Sequence, residues 1–294
     1  MFTFHLALIM VIVSSILPEI ILRELLRAPV PAWLPYLKVV ALLLLTVVLR
    51  RSKGQNRDLS GFAVVLAGFV ALHEVTAMFL RSSWWQGLFA ESGWFIGSVG
   101  SQVSLKLPST VPMIALLLLL YKKPGQLYLS KGDLSVIAEP IPAFGIKPRW
   151  VKWGRLAVIS GFAIAAGSLL LTLITVTGFS APDNLGALPG AMPFILLFAL
   201  ANSFSEGIFF RNAVLGPLTA LLPKGQLMIV AAVFFGISHY YGAPQGIIGV
   251  VMSGVLGWYL CRSMYETRGM LAPWIIHFLQ DVVIFMAMVA LTVR

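Results

Sequence analysis

Ala201-Asn-Ser-Phe-Ser-Glu206-Gly-Ile-Phe-Phe-Arg211-Asn-Ala-Val-Leu215 sets a carboxylate and a guanidinium inside a run that is otherwise apolar enough to cross a bilayer. A charge near the middle of a membrane helix costs about 2.5 to 3.5 kcal/mol on insertion scales, so a chain that keeps one there is expected to use it. Residues four apart share a helical face, which turns Asn202 and Glu206 the same way, with Ser203 close by. Arg211 comes five residues after Glu206, about 140° round the helix at 3.6 residues per turn. Its natural partner one turn back is position 207, a glycine, so Arg211 has to find another partner or reach for the cytoplasmic interface. The stretch predicts a membrane helix with a polar stripe centred on Glu206.

The rest of the chain supplies the membrane setting. Of 294 residues, 59% are hydrophobic and only 11% charged, and the mean hydropathy is +0.92; this composition predicts an all-α polytopic integral membrane protein. The formal charge of +10 is spread over the flanks of apolar segments, not gathered into one patch. It points to membrane flanks and away from nucleic acid. Cys261 is the single cysteine, which excludes an intrachain disulfide and a cysteine metal cluster.

At about 20 apolar residues per span, helices are expected near 2–22, 34–49, 60–80, 107–121, 154–177, 193–215, 225–241, 246–262 and 270–292, giving about eight or nine spans. The segment 84–106, broken by Gly93, Gly97 and Gly100, fits an interfacial or re-entrant piece as well as a span. Phe2 to Leu22 lacks a basic flank before it and a small-residue cleavage site after it, so we expect an anchor helix there and not a removed leader. Three parts follow: N-terminal transmembrane helices over 1–121, a Pro- and Lys-rich loop over 122–152, and a membrane core over 153–294. Positive-inside counting puts the 122–152 loop in the cytoplasm and the Gly178 to Met192 loop, which has no Lys or Arg, outside. Glu19 is expected to pair with Arg23 one turn on, and His73-Glu74 to form a hydrogen-bonded pair inside the bundle.

Two histidines share apolar surroundings with Glu206. His239 ends Phe235-Gly-Ile-Ser-His239, where Phe235 lies one turn back on the imidazole's face. His277 opens His277-Phe-Leu-Gln-Asp281, whose carboxylate one turn later can take the imidazole N–H and set its tautomer. Glu206, His239, His277 and Asp281 on three separate helices point to a site.

These residues resemble the CAAX prenyl endopeptidases and their bacterial relatives, the CPBP intramembrane proteases. The family pattern is E-E-x-x-x-R, then F-x-x-x-H, then H-x-x-x-N or D. Glu206-Gly-Ile-Phe-Phe-Arg211 matches the first motif except at its second Glu, Phe235 to His239 matches the second, and His277 to Asp281 the third. The Gly254-x-x-Gly257 helix and Leu271-Ala-Pro-Trp also look like the family, and the resemblance covers about 193–290. The resemblance implies an intramembrane endopeptidase of the cell membrane, acting on a membrane-associated or C-terminally processed peptide or protein that enters from the bilayer.

In that scheme Glu206 and His239 activate a water, while His277 and Asp281 stabilise the oxyanion or position the peptide. Arg211, Phe235 and Asn202 are supporting residues. The family is often labelled metalloprotease, and Glu206, His239 and His277 could hold zinc; a metal-free route with Glu206 as the base uses the same residues. Gly207 in place of the second Glu keeps open a catalytically silent scaffold that binds a peptide or membrane protein. A proton-coupled transporter is a third alternative, against which no inverted repeat is found.

Overall fold

The computed structural model describes residues 2–147, 151–174, 184–242 and 244–291. Eleven helices are named in it: α1 Phe2–Ser14, α2 Leu17–Leu25, α3 Leu34–Arg51, α4 Gln55–Arg81, α5 Ser83–Leu88, α6 Phe95–Tyr121, α7 Trp153–Thr172, α8 Leu185–Leu218, α9 Lys224–Ser238, α10 Gly246–Thr267 and α11 Leu271–Ala290. Among the described residues, β structure is confined to two isolated bridges, Ile137 with Lys152 and Ile141 with Ile146. Six helices are long and apolar enough to cross a membrane, and a seventh span is made if α1 and α2 count as one. The protein is an all-α, multi-pass membrane protein.

Several boundaries differ from expectation for identifiable reasons. The helix expected over 2–22 is two pieces bent by 56°. Pro18 has no N–H to continue the ladder, and the Ser14 and Ser15 hydroxyls bond back to the carbonyls of Val11 and Ile12 at 3.1 and 2.7 Å. Glu19 does not pair with Arg23. It pairs with Lys38 of α3, whose ammonium lies 2.6 and 2.7 Å from its two oxygens and 2.6 Å from the Ser15 carbonyl. The glycine-rich stretch after Trp94 is the π-helical first turn of α6, Phe95–Gly100, so this span begins twelve residues before the expected 107. The outside loop expected from Gly178 to Met192 lies outside the described residues up to 183; from 185 it is the 3₁₀ first turn of α8.

The chain divides into two compact units: the first comprises Met1–Thr76, Ser109–Leu129 and Ile208–Arg262, the second Ala77–Pro108, Ser130–Gly207 and Ser263–Arg294. In the first unit Phe69, Phe210, Phe234 and Phe235 pack edge to face, with centroids 4.9 to 5.6 Å apart. Helices α9 and α10 approach closely there: a Cβ on Gly236 would lie 2.6 Å from the Val250 carbonyl oxygen, and one on Gly257 would meet Phe235. His73 is exposed and stacks on Phe69 at 6.0 Å, so it does not sit inside the bundle as expected.

In the second unit α6, α8 and α11 share a core of Phe95, Val103, Ile195, Phe198, Phe285 and Val289. Ser130 to Trp153 is tied to the turn between α10 and α11. Asp133 N–H donates to the Thr267 carbonyl, Met270 N–H to that of Ser130, and Glu266 accepts from the Trp153 indole at 2.7 Å. Gly132, at φ +81, faces Gly269 so closely that a Cβ on either would strike the other's backbone. That seam sets where α11 starts, and therefore where His277 and Asp281 stand.

Candidate active site

Asn202 and Glu206 lie one turn apart at the end of the first α-helical part of α8, Leu188–Glu206. They face Lys106 of α6, whose ammonium donates to Glu206 Oε1 at 2.8 Å and to Asn202 Oδ1. Asn202 Nδ2 in turn donates to Asp281 Oδ2 at 3.0 Å. On α11, His277 and Asp281 are also one turn apart, and His277 Nε2 stands 3.5 Å from Asp281 Oδ1 and 3.6 Å from Glu206 Oε2. Five side chains from three helices of the second unit therefore close a ring: Lys106, Glu206, His277, Asp281, Asn202.

The ring is well shielded. His277 is 2% and Asp281 4% exposed, and the Glu206 side chain 12%, while Lys106 keeps 35% and forms the accessible edge. Glu206 meets the ammonium and Asp281 the Asn202 amide, both beside the His277 imidazole, in low-dielectric surroundings where each polar contact counts for more than in water. The formal charge with neutral His277 is −1, which suits a site that takes up and passes on a proton.

From Gly207 to Asn212 helix α8 becomes π-helical, and the 3.6-residue arithmetic that set Arg211 about 140° from Glu206 no longer applies. Such bulges are often found at functional sites. Arg211 is 3% exposed, so it does not reach for the interface as one alternative had it. Burial of the neighbouring Asn212 is matched by its amide, which donates to the Leu127 carbonyl at 2.7 Å.

His239 belongs to the first unit, where it caps α9. Its Nδ1 lies 2.7 Å from the Phe235 carbonyl, which can only accept; Nδ1 therefore carries the proton and Nε2 holds the lone pair of the neutral ring. Phe235 packs on the imidazole with centroids 4.3 Å apart. The spacing of four thus serves both a ring contact and a tautomer.

A span beginning at 107 makes Lys106 a flanking lysine with no signal of its own. With α6 running from Phe95 it lies inside an apolar helix, and an intramembrane lysine is a functional signal in its own right. The zinc set Glu206, His239 and His277 draws on both units. Among the described residues no group of three or more His, Cys, Asp or Glu is arranged to hold a metal ion. The Glu206 carboxylate already carries an ammonium, which repels a dication, so Glu206 as placed does not fit a zinc ligand.

Residues 188–283 match the family model of the Rce1-like type II CAAX prenyl endopeptidases. Asn202, Glu206, Arg211, Phe235, His239, His277 and Asp281 lie within the match, and Lys106 lies outside it. No curated protein and no solved structure matches the chain.

Proposed function

We propose, from the premise that residues 188–283 form a domain of the Rce1-like family of CAAX-type proteases, that the protein is an intramembrane endopeptidase. The observation that carries this is the approach of Glu206, His277 and Asp281, which two distant segments bring within 3.6 Å in a multi-pass membrane protein. Glu206 Oε2 takes a proton from water as the oxygen attacks the peptide carbonyl carbon. His277 and Asp281 stabilise the resulting oxyanion or position the peptide. Collapse breaks the C–N bond, and the proton held by Glu206 passes to the leaving nitrogen, giving a carboxylic acid and an amine, which exchange a proton to end as carboxylate and ammonium. His239 is assigned to water activation by its motif, and its Nε2 lone pair suits that task. Asn202 orients the carboxylates, while Phe235 and Arg211 support the fold around the motifs.

The substrate is a membrane-associated or C-terminally processed peptide or protein that enters from the bilayer, and we place the protein in the cell membrane. Comparative proteomics of membrane and secreted fractions from wild-type and Glu206→Gln cells tests the reading. A precursor that accumulates in the variant, with its cleaved fragment lost, supports it; identical fractions from a folded variant overturn it. Gly207 favours the second reading, a silent scaffold. In that case Glu206→Gln leaves both fractions and any bound partner unchanged.

A further inference from the structure

We propose that Lys106 is a positioning residue of the peptidase site: its ammonium holds Glu206 directly and orients Asp281 through the Asn202 amide. This rests on the assignment of Glu206 as the base. It also brings into the machinery a helix that the family match does not reach.

The Asn202 amide has two unlike ends, and its neighbours decide which way round it sits. A cation can only be met by its oxygen and a carboxylate only by its NH₂. Lys106 on one side and Asp281 on the other leave one orientation, with Oδ1 toward the ammonium and Nδ2 at 3.0 Å from Asp281 Oδ2. The charge on α6 is thereby relayed to a carboxylate on α11. At Glu206 the ammonium takes Oε1, at 2.8 Å, and this turns Oε2 toward His277, 3.6 Å away. One lysine thus contributes to the orientation of both carboxylates.

The placement argues for chemistry over mere bracing. A lysine that only braced the fold would be closed off with a single carboxylate, as Lys38 is at 5% exposure. Lys106 instead keeps 35% of its side-chain surface exposed at the edge of the ring. Two carboxylates without it would repel each other and lose the geometry the attack requires.

The test uses purified full-length protein in lipid nanodiscs and the precursor identified by its accumulation in the Glu206→Gln cells. Lys106→Ala is expected to lower kcat about a hundredfold, the scale of a misplaced catalytic group, with KM within about twofold of wild type. Lys106→Gln, which keeps a donor without the charge, should show the same loss and serves if the alanine variant does not accumulate. Because the position is partly open, added ethylammonium should restore part of the kcat of Lys106→Ala in a dose-dependent way, and Lys106→Arg should retain most of it. A brace of the fold alone would show neither rescue. Wild-type kcat in folded Lys106→Ala or Lys106→Gln, with an active wild-type control, overturns the positioning role and leaves Glu206 as the base. If wild type cleaves nothing, the peptidase reading fails and this role falls with it. A thermal-stability cycle of Lys106→Met and Glu206→Gln is then decisive for the contact: a melting temperature that falls in the first and recovers in the double variant supports the pairing, and additive changes sink it.

Discussion

Each compact unit sets an ammonium against a carboxylate, and the two arrangements differ in their charge balance. In the first unit Lys38 meets both oxygens of Glu19 and the Ser15 carbonyl, one cation to one anion. In the second, Lys106 is shared between Glu206 and Asn202, and Asp281 and His277 complete a ring with two carboxylates to one ammonium. A neutral, closed pair holds helices together at the break after Ser14. A ring with surplus negative charge has something left to exchange, a proton above all. The contrast separates structure from chemistry more sharply than burial does, since both contain residues exposed by 5% or less.

The largest effect expected to sharpen this contrast is on turnover. Glu206→Gln and His277→Ala should each lower kcat by about 10² to 10⁴-fold, the range for removal of an acid–base group, while folded yield stays near wild type. Equal loss of yield and activity in fluorescence-detected size exclusion would place the second ring among structural pairs and break the comparison.

Lys38→Met should show the converse. Removing one member of a buried pair costs about 3 to 5 kcal/mol, and 21% exposure of Glu19 discounts the effect below that range, to about 2 to 3 kcal/mol. Melting temperature should fall, kcat of the surviving folded fraction should hold, and Lys38→Met with Glu19→Gln should recover stability. A fall in kcat per folded molecule would show that this pair also serves the chemistry.

Packing gives a smaller effect. Gly236→Ala in the first unit drives a Cβ to 2.6 Å from a carbonyl oxygen, with Gly254 backbone beside it, whereas Gly161→Ala in the second meets the end of the Leu279 side chain at 2.7 Å. We expect about 1 to 3 kcal/mol for the first, where backbone must move, and less for the second, where a flexible side chain yields. Melting temperatures in the reverse order would contradict this.

The smallest effect belongs to the loop that positions α11. The Ser135 hydroxyl and then its N–H hold Asp133 below the usual carboxylate range. A lowered folded value means that the stability it contributes is present above the unfolded pKa and is lost as pH falls through the folded one. Asp133→Asn should therefore lower melting temperature slightly near neutrality and converge with wild type in acid. A difference that grows toward acid would reverse the sign and refute the cause.

Most of the motif residues were legible because their spacing is local. A separation of four puts Asn202 with Glu206, Phe235 with His239 and His277 with Asp281, whatever the rest of the chain does. Lys106 was not legible, since its partners are 96 and 100 residues away. Nor was the replacement of Arg23 by Lys38 as the partner of Glu19: the bend after Ser14 redirects the chain, and a pattern read at 3.6 residues per turn assumes a straight helix.

The sequence by itself determined the membrane-spanning, all-helical character of the protein and the residue types at its motifs, because hydropathy and helical period act over a few turns. Only the tertiary structure decided that α6 begins at Phe95, that α8 turns π-helical at Gly207, and that Asn202 reaches Asp281 across 79 residues. Which helix faces which depends on the packing of small residues and rings between distant segments, a sum of many weak contacts that no local window contains.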